Sequence, residues 1–257
     1  QTAVLEAVAA GLTVEEAEAI IGRAMGIPKT GVFGLIDLVG LDLMPHINAS
    51  MTALLPKDDA YHASAKPMPL VSKMIAEGYT GRKGKGGFYR LNRDNGKAKE
   101  AIDLMSGEYR PQQKPVVDAI DESGRSLKKL FSHDSKHGAY AAKVMGLTLA
   151  YASSLVGEVS DQADAIDEAM RLGYNWKFGP FELIDQLGAD WLIAALQKAG
   201  IAVPKFLSLA AGKTIYRIEN GQRQVLGLDG AYHDVKRAEG VVMLEDIKRR
   251  GEPVLKN

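Results

Sequence analysis

A chain of 257 residues has room for one large domain or two of ordinary size, and 46% hydrophobic against 25% charged residues is the balance of a globular protein with a core to bury. Its 32 basic residues cancel 32 acidic ones, so no net field favours nucleic acid or an anionic membrane. Cysteine is absent, which removes disulfides, thiolate metal sites and cysteine nucleophiles together, and no apolar run approaches the ~20 residues of a bilayer span.

The first residues, Gln1 to Gly11, read as the middle of a helix ended by Gly11. They have neither the basic start nor the apolar centre of a signal peptide, and no initiating methionine, so the chain is expected to be cut from a longer one. Thr13 with Glu16 forms a capping box that opens a helix over Val14 to Ala24, stopped by Gly26. Next comes Gly31-Val32-Phe33-Gly34-Leu35-Ile36-Asp37-Leu38-Val39-Gly40-Leu41-Asp42. It returns 148 residues later as Gly179-Pro180-Phe181-Glu182-Leu183-Ile184-Asp185-Gln186-Leu187-Gly188-Ala189-Asp190. Both stretches are followed by helix, proline, short helix, glycine and an aromatic strand. The strands are Phe88 to Leu91, closed by Asp94-Asn95-Gly96, and Ile215 to Ile218, closed by Glu219-Asn220-Gly221. A shared order of elements makes this an internal duplication.

Between the copies, Tyr109 to Pro115 is a polar, proline-flanked linker. Tyr140 to Val156 is the longest stretch with helical periodicity. Ser160 is expected to cap the following helix, with Asp161 and Asp164 in its first turn and Gly173 at its end. Gly179-Pro180 puts proline at a first helical position, where its missing N–H costs nothing. The expected organisation is a first module over 1–112, a diverged copy over 113–235, and a tail over 236–257 that tethers a further domain.

Chemistry-bearing patterns are scarce. No Gly-x-Gly-x-x-Gly lies between a strand and a helix, so no dinucleotide turn is legible. Gly81-Arg82-Lys83-Gly84-Lys85-Gly86-Gly87 lacks the ending of a P-loop and precedes a strand. It reads as a structural turn, with Arg82, Lys83 and Lys85 as candidate contacts for an anionic ligand. No aromatic series accompanies these cations, so nucleic acid is not expected. His133 and His137 have no metal-binding partner pattern, and His46, His62 and His233 are isolated; no metal is expected. Asp37 and Asp185 each follow a Leu-Ile pair and are read as half-buried carboxylates bonded to backbone N–H groups, with acid–base catalysis as the alternative. Phe33 and Phe181 are core or pocket-wall rings.

The run Met25 to Gly40 resembles the C-terminal domain of 3-hydroxyacyl-CoA dehydrogenases. So do Gly78 to Tyr89, which is similar to that family's Gly-x-x-Gly-Arg-Lys-x-Gly-x-Gly-Phe-Tyr segment, and Gly179 to Leu183, which carries its Gly-Pro-Phe-Glu-Leu. Lys83-Gly84-Lys85 departs from the family's Lys-Thr-Gly. Two such stretches in tandem resemble the multifunctional β-oxidation proteins. The resemblance implies an all-α fold of two tandem helical modules, each with a small β-hairpin, like the C-terminal domain of 6-phosphogluconate dehydrogenase. It implies the substrate-side and assembly part of an NAD-dependent enzyme that oxidises 3-hydroxyacyl-CoA to 3-ketoacyl-CoA. One module would replace the partner that a single-module relative recruits as a dimer. The family's catalytic His–Glu pair and its asparagine have no match here, so no catalytic residue is assigned to this chain. The implied partners are an N-terminal nucleotide-binding domain that holds the NAD, the acyl-CoA substrate, and a C-terminal enoyl-CoA hydratase-like domain. The turn Gly26 to Phe33, with Pro28, Gly31 and Phe33, is expected to lie beside the substrate, while Asp37, Phe181 and Asp185 hold the repeated structure. A cytoplasmic location is expected. The competing reading is a noncatalytic acyl-CoA-binding or scaffold protein, complete as it stands.

Overall fold

A computed structural model describes residues 1–124, 126–236 and 240–241. It is mainly helical, with two small antiparallel sheets of three strands each. The chain divides into two compact units, one ending at Leu147 and the other starting at Thr148.

In the first unit, α1 (Thr2–Ala9) and α2 (Val14–Ile20) are joined through Gly11 in a left-handed turn. Thr13 and Glu16 close the expected capping box at the start of α2. The helix ends sooner than the pattern suggests. A separate 3-10 turn covers Arg23–Met25 before Gly26 stops it in the left-handed conformation. Then come α3 (Phe33–Val39), α4 (Leu43–Leu54), α5 (Tyr61–Ser64) and α6 (Pro69–Ala76), the last opened by a proline in its first turn. The sheet β1 (Tyr89–Asn92), β2 (Ala98–Ile102) and β3 (Tyr109–Pro111) follows, then α7 (Asp118–Ser123) and α8 (Leu127–Phe131). Phe33 and Phe88 meet edge to face at 4.8 Å in this core, and Ile20, Met25, Leu41 and Met74 are also fully buried in the unit.

The longest helix, α9 (Lys136–Ser154), matches the longest periodic stretch, and the units part within it rather than at the proline-flanked linker. The linker is tied to the first unit: β3 pairs with β2, and the Arg110 guanidinium grips Glu15 on α2 at 2.6 and 2.9 Å. In the second unit, α10 (Ala163–Tyr174), α11 (Pro180–Leu187), α12 (Ala189–Lys198) and α13 (Lys205–Leu209) precede β4 (Tyr216–Glu219), β5 (Gln222–Leu226) and β6 (Tyr232–Asp234). Its core holds Phe181 edge to face with Phe206 at 5.4 Å.

Three local expectations need correcting. Ser160 does not cap α10: its hydroxyl accepts from Gln162 N in a turn before the helix. Asn175, in the left-handed conformation, ends that helix instead of Gly173. The hairpins are three-stranded sheets, each extended by a third strand, β3 or β6, whose 3 residues are too few to carry an alternating pattern in the sequence. The expected tail over 236–257 lies, apart from residues 236, 240 and 241, outside the described residues.

Candidate functional site

Two carboxylates stitch the first unit together. Glu18 on α2 accepts from the N–H groups of Phe33 (3.0 Å) and Gly34 (3.3 Å), which open α3. A carboxylate is well placed there, since the first N–H groups of a helix have no partner within it. Asp37 on α3 in turn accepts from Phe88 N (2.7 Å) and Tyr89 N (2.8 Å) at the entry to β1. Burial outweighs these donors and pushes Glu18 up to about 8 and Asp37 up to about 6.

The second unit repeats this wiring. Asp167 on α10 accepts from Phe181 N (2.8 Å) and Glu182 N (3.1 Å) at the start of α11, and Asp185 accepts from Ile215 N (2.6 Å) and Tyr216 N (2.8 Å) at β4. Gly31 and Gly179 stand before the helix-capping carboxylate in each case. A Cβ on Gly31 would fall 1.9 Å from Glu18 Oε1, and one on Gly179 would fall 2.3 Å from the Asp167 carboxyl carbon.

What differs is the surroundings of the clamps. In the first unit a cleft of about 750 Å³ opens beside Glu18 and Asp37, with Gly34 and Tyr89 in its wall. In the second unit the Tyr216 hydroxyl donates to Asp167 at 2.8 Å, and Glu182 accepts from Gly179 N at 3.0 Å. Glu182 bonds to Arg223 (2.7 Å) and Arg171 (3.3 Å). The repeat puts Gly34, which has no side chain, where Glu182 stands.

The site residues expected from sequence are only partly brought together. Arg82 and Lys85 line the cleft, but Lys83 does not: its ammonium is held by Asp42 at 2.9 Å. The glycine-rich loop turns most of its N–H groups back onto the chain. The N–H groups of Gly81, Arg82, Gly84, Lys85 and Gly87 all bond to carbonyls of the chain, and the loop is a closed structural turn. Phe33 is wholly buried, so its ring is core and not cleft wall. Pro28 is half-buried, and Gly31 lies under Glu18. Glu18, Lys29, Arg93 and Lys99, all in the cleft wall, were not singled out by the sequence reading. A signal for Glu18 existed: an acid lies 13 residues before Gly31 and one, Asp167, lies 12 before Gly179.

No group of three or more His, Asp or Glu side chains among the described residues could hold a metal ion. His62 bonds to a carbonyl, and His133, His137 and His233 bond to nearby carboxylates. Every strand pairing described is antiparallel, so the described residues offer no parallel strand–turn–helix unit that fits a dinucleotide. No described helix is long and apolar enough to cross a membrane.

The model of the family described as "3-hydroxyacyl-CoA dehydrogenase, C-terminal domain" matches residues 1–91 and 138–218. The chain belongs to this family. Members of similar sequence include a protein of Rickettsia prowazekii named "Putative fatty acid oxidation complex trifunctional enzyme", 38% identical over 79% of this chain and 28% of the relative. A Rickettsia felis protein of the same name is 41% identical over 71% of this chain and 25% of the relative. A Bacillus subtilis protein named "Probable 3-hydroxyacyl-CoA dehydrogenase" is 29% identical over 99% of this chain and 33% of its own. The chain therefore spans between a quarter and a third of these dehydrogenase-family relatives.

Proposed function

We propose that this chain is the substrate-side and assembly part of an NAD-dependent 3-hydroxyacyl-CoA dehydrogenase of fatty-acid oxidation, built as two tandem copies of one helical module. The parent oxidises a 3-hydroxyacyl-CoA to the 3-ketoacyl-CoA, and this part supplies no group that transfers the hydride or the proton. The single observation that carries the tandem reading is the repeated pair of carboxylate clamps, Glu18 and Asp37 against Asp167 and Asp185. The family match over two separate stretches supports it. The two copies divide the work: the first keeps an open cleft toward the acyl-CoA, and the second is closed and serves the assembly.

The relatives are three to four times longer than the stretch they share with this chain, which leaves length for a nucleotide-binding domain and a hydratase-like domain. A surface suited to such a domain exists on the first copy. Leu38, Val39, Ile47 and Leu54 on α3 and α4 are exposed, and α4 buries none of its residues. We assign that face to the nucleotide-binding domain of the parent.

Two measurements test the reading. Calorimetric titration of the 257-residue chain with NAD should give no saturable heat, and micromolar binding would mean that this chain holds a nucleotide site of its own. The full-length parent should reduce NAD with 3-hydroxyacyl-CoA as substrate; a parent that does not sinks the enzyme assignment.

A further inference from the structure

The sheets give a residue-by-residue comparison of the two sites. Tyr89 and Tyr216 each follow a clamped position, and each opens its sheet against an apolar partner, Ala101 and Val225 respectively. Two steps along, Leu91 faces Lys99 in the first sheet and Ile218 faces Arg223 in the second. Lys99 therefore takes the place of Arg223. In the second unit that cation is neutralised from within, by Glu182 at 2.7 Å. In the first unit the position of Glu182 is Gly34, and the carboxylate is gone while the cation remains.

Lys99 is not alone. Lys29, Arg82 and Arg93 line the same cleft, and none of the four forms a salt bridge among the described residues. Of the neighbouring cations Lys83 is matched by Asp42, Arg90 by Glu100 and Arg110 by Glu15, while Lys85, also in the wall, donates to the Glu77 carbonyl at 2.9 Å. Three acids share the cleft wall and do not match the cations one for one: Glu100 is held by Arg90, burial favours the neutral form of Glu18, and Asp37, which feels the charge of Arg82, is a single carboxylate already engaged by the N–H groups of Phe88 and Tyr89. Four unmatched cations around one concavity repel one another and favour a bound polyanion. The cleft volume, about 750 Å³, falls within the usual span of small-molecule sites. With five of the loop's N–H groups bonded to carbonyls of the chain, recognition falls mainly to long side chains on the rim. That suits several separated phosphates better than one oxyanion in a nest.

We propose that this cleft binds the 3′-phosphorylated ADP head of coenzyme A, with Lys99, Lys29, Arg82 and Arg93 receiving its phosphates where the second copy carries the Glu182 carboxylate. The assignment rests on the acyl-CoA reading above and gives one head-group site per chain. Guanidinium planes of Arg82 or Arg93 and the apolar wall at Tyr89 and Leu91 offer faces for the adenine.

The test is calorimetry on the 257-residue chain with CoA, dephospho-CoA and inorganic pyrophosphate at low and moderate salt. CoA should bind one to one, dephospho-CoA several-fold more weakly, and both more weakly as salt rises. Gly34→Glu restores the internal carboxylate at a position where an added Cβ meets nothing closer than 3.9 Å. It should lower CoA affinity about tenfold or more without lowering the melting temperature. Lys99→Ala with Arg82→Ala should weaken binding similarly, and Lys57→Ala, outside the cleft, should leave it unchanged. CoA binding that ignores both cleft variants overturns the site. Pyrophosphate binding as tightly as CoA overturns the head-group assignment. Absence of any CoA binding overturns the inference while leaving the dehydrogenase reading to the parent's turnover. A parent that does not oxidise 3-hydroxyacyl-CoA sinks that reading even if the chain binds CoA.

Discussion

The buried carboxyl groups make the stability of this chain depend on pH in an unusual direction. Burial pushes Glu18 up to about 8, Asp37 to about 6 and Asp167 to about 7, while in the unfolded chain such groups release their protons near pH 4. Between about pH 4 and 8 the folded state thus holds more protons than the unfolded one, and stability falls as pH rises through that window. Groups held low, such as Asp103 under the Ser106 N–H, act in the opposite sense only below it. The denaturant midpoint should be lower at pH 8.5 than at pH 5.5. Asp167→Asn should flatten part of that slope, because asparagine keeps an oxygen for Phe181 N but cannot ionise. A midpoint that rises across the window would show that the N–H donors outweigh burial. The two clamped rings are a simpler case. Phe33 and Phe181 are both fully buried, so replacing either with alanine should cost about 3–5 kcal/mol in denaturant melts. A Phe33→Ala variant of unchanged stability would mean that the core collapses around the gap.

At the scale of elements, each clamp needs a glycine in front of it. Gly31 has φ +56, so its replacement suffers twice, from backbone strain and from Glu18. Gly179 has φ −76, which any residue adopts, and only the closeness of Asp167 forbids a side chain there. Gly179→Ala should therefore destabilise the chain by more than about 1 kcal/mol, although glycine-to-alanine changes at unstrained positions gain up to about that much. A stabilised Gly179→Ala would mean that the Asp167 clamp is dispensable. What the sequence made legible follows the same division between near and far. The Thr13–Glu16 box, Pro180 at the head of α11 and the Asn220-Gly221 turn, with both residues at positive φ, are local and were readable. So was the repeat that carries Asp37 and Asp185. The third strands were not, because their partners lie outside any short window. Glu18 was missed because its meaning depends on N–H groups 15 and 16 residues away, and Lys99 because its charge signifies only beside what Gly34 lacks.

At the scale of the whole molecule, the proposed division of labour has one module closed by its own charges and its relative left open for a ligand's. The reciprocal changes should then fail in different ways. Glu182 is the anion for Arg223, whose guanidinium also lies over the Tyr216 ring at 4.1 Å, and both partners are nearly buried. Glu182→Ala strands that cation and should cost about 2–4 kcal/mol of stability, since breaking one side of a buried pair leaves an uncompensated charge. Lys99→Ala removes a half-free cation and should change stability by less than about 0.5 kcal/mol. In the full-length parent the order reverses. If Lys99 holds the head group as proposed, Lys99→Ala should raise KM for an acyl-CoA substrate with kcat nearly unchanged, because such contacts would be the same in the ground and transition states. Glu182→Ala should leave KM alone wherever the enzyme remains folded. Melts and steady-state kinetics on the two variants measure these losses independently. If Glu182→Ala were the variant that raised KM at unchanged stability, the open site would belong to the second copy and the division of labour would be inverted.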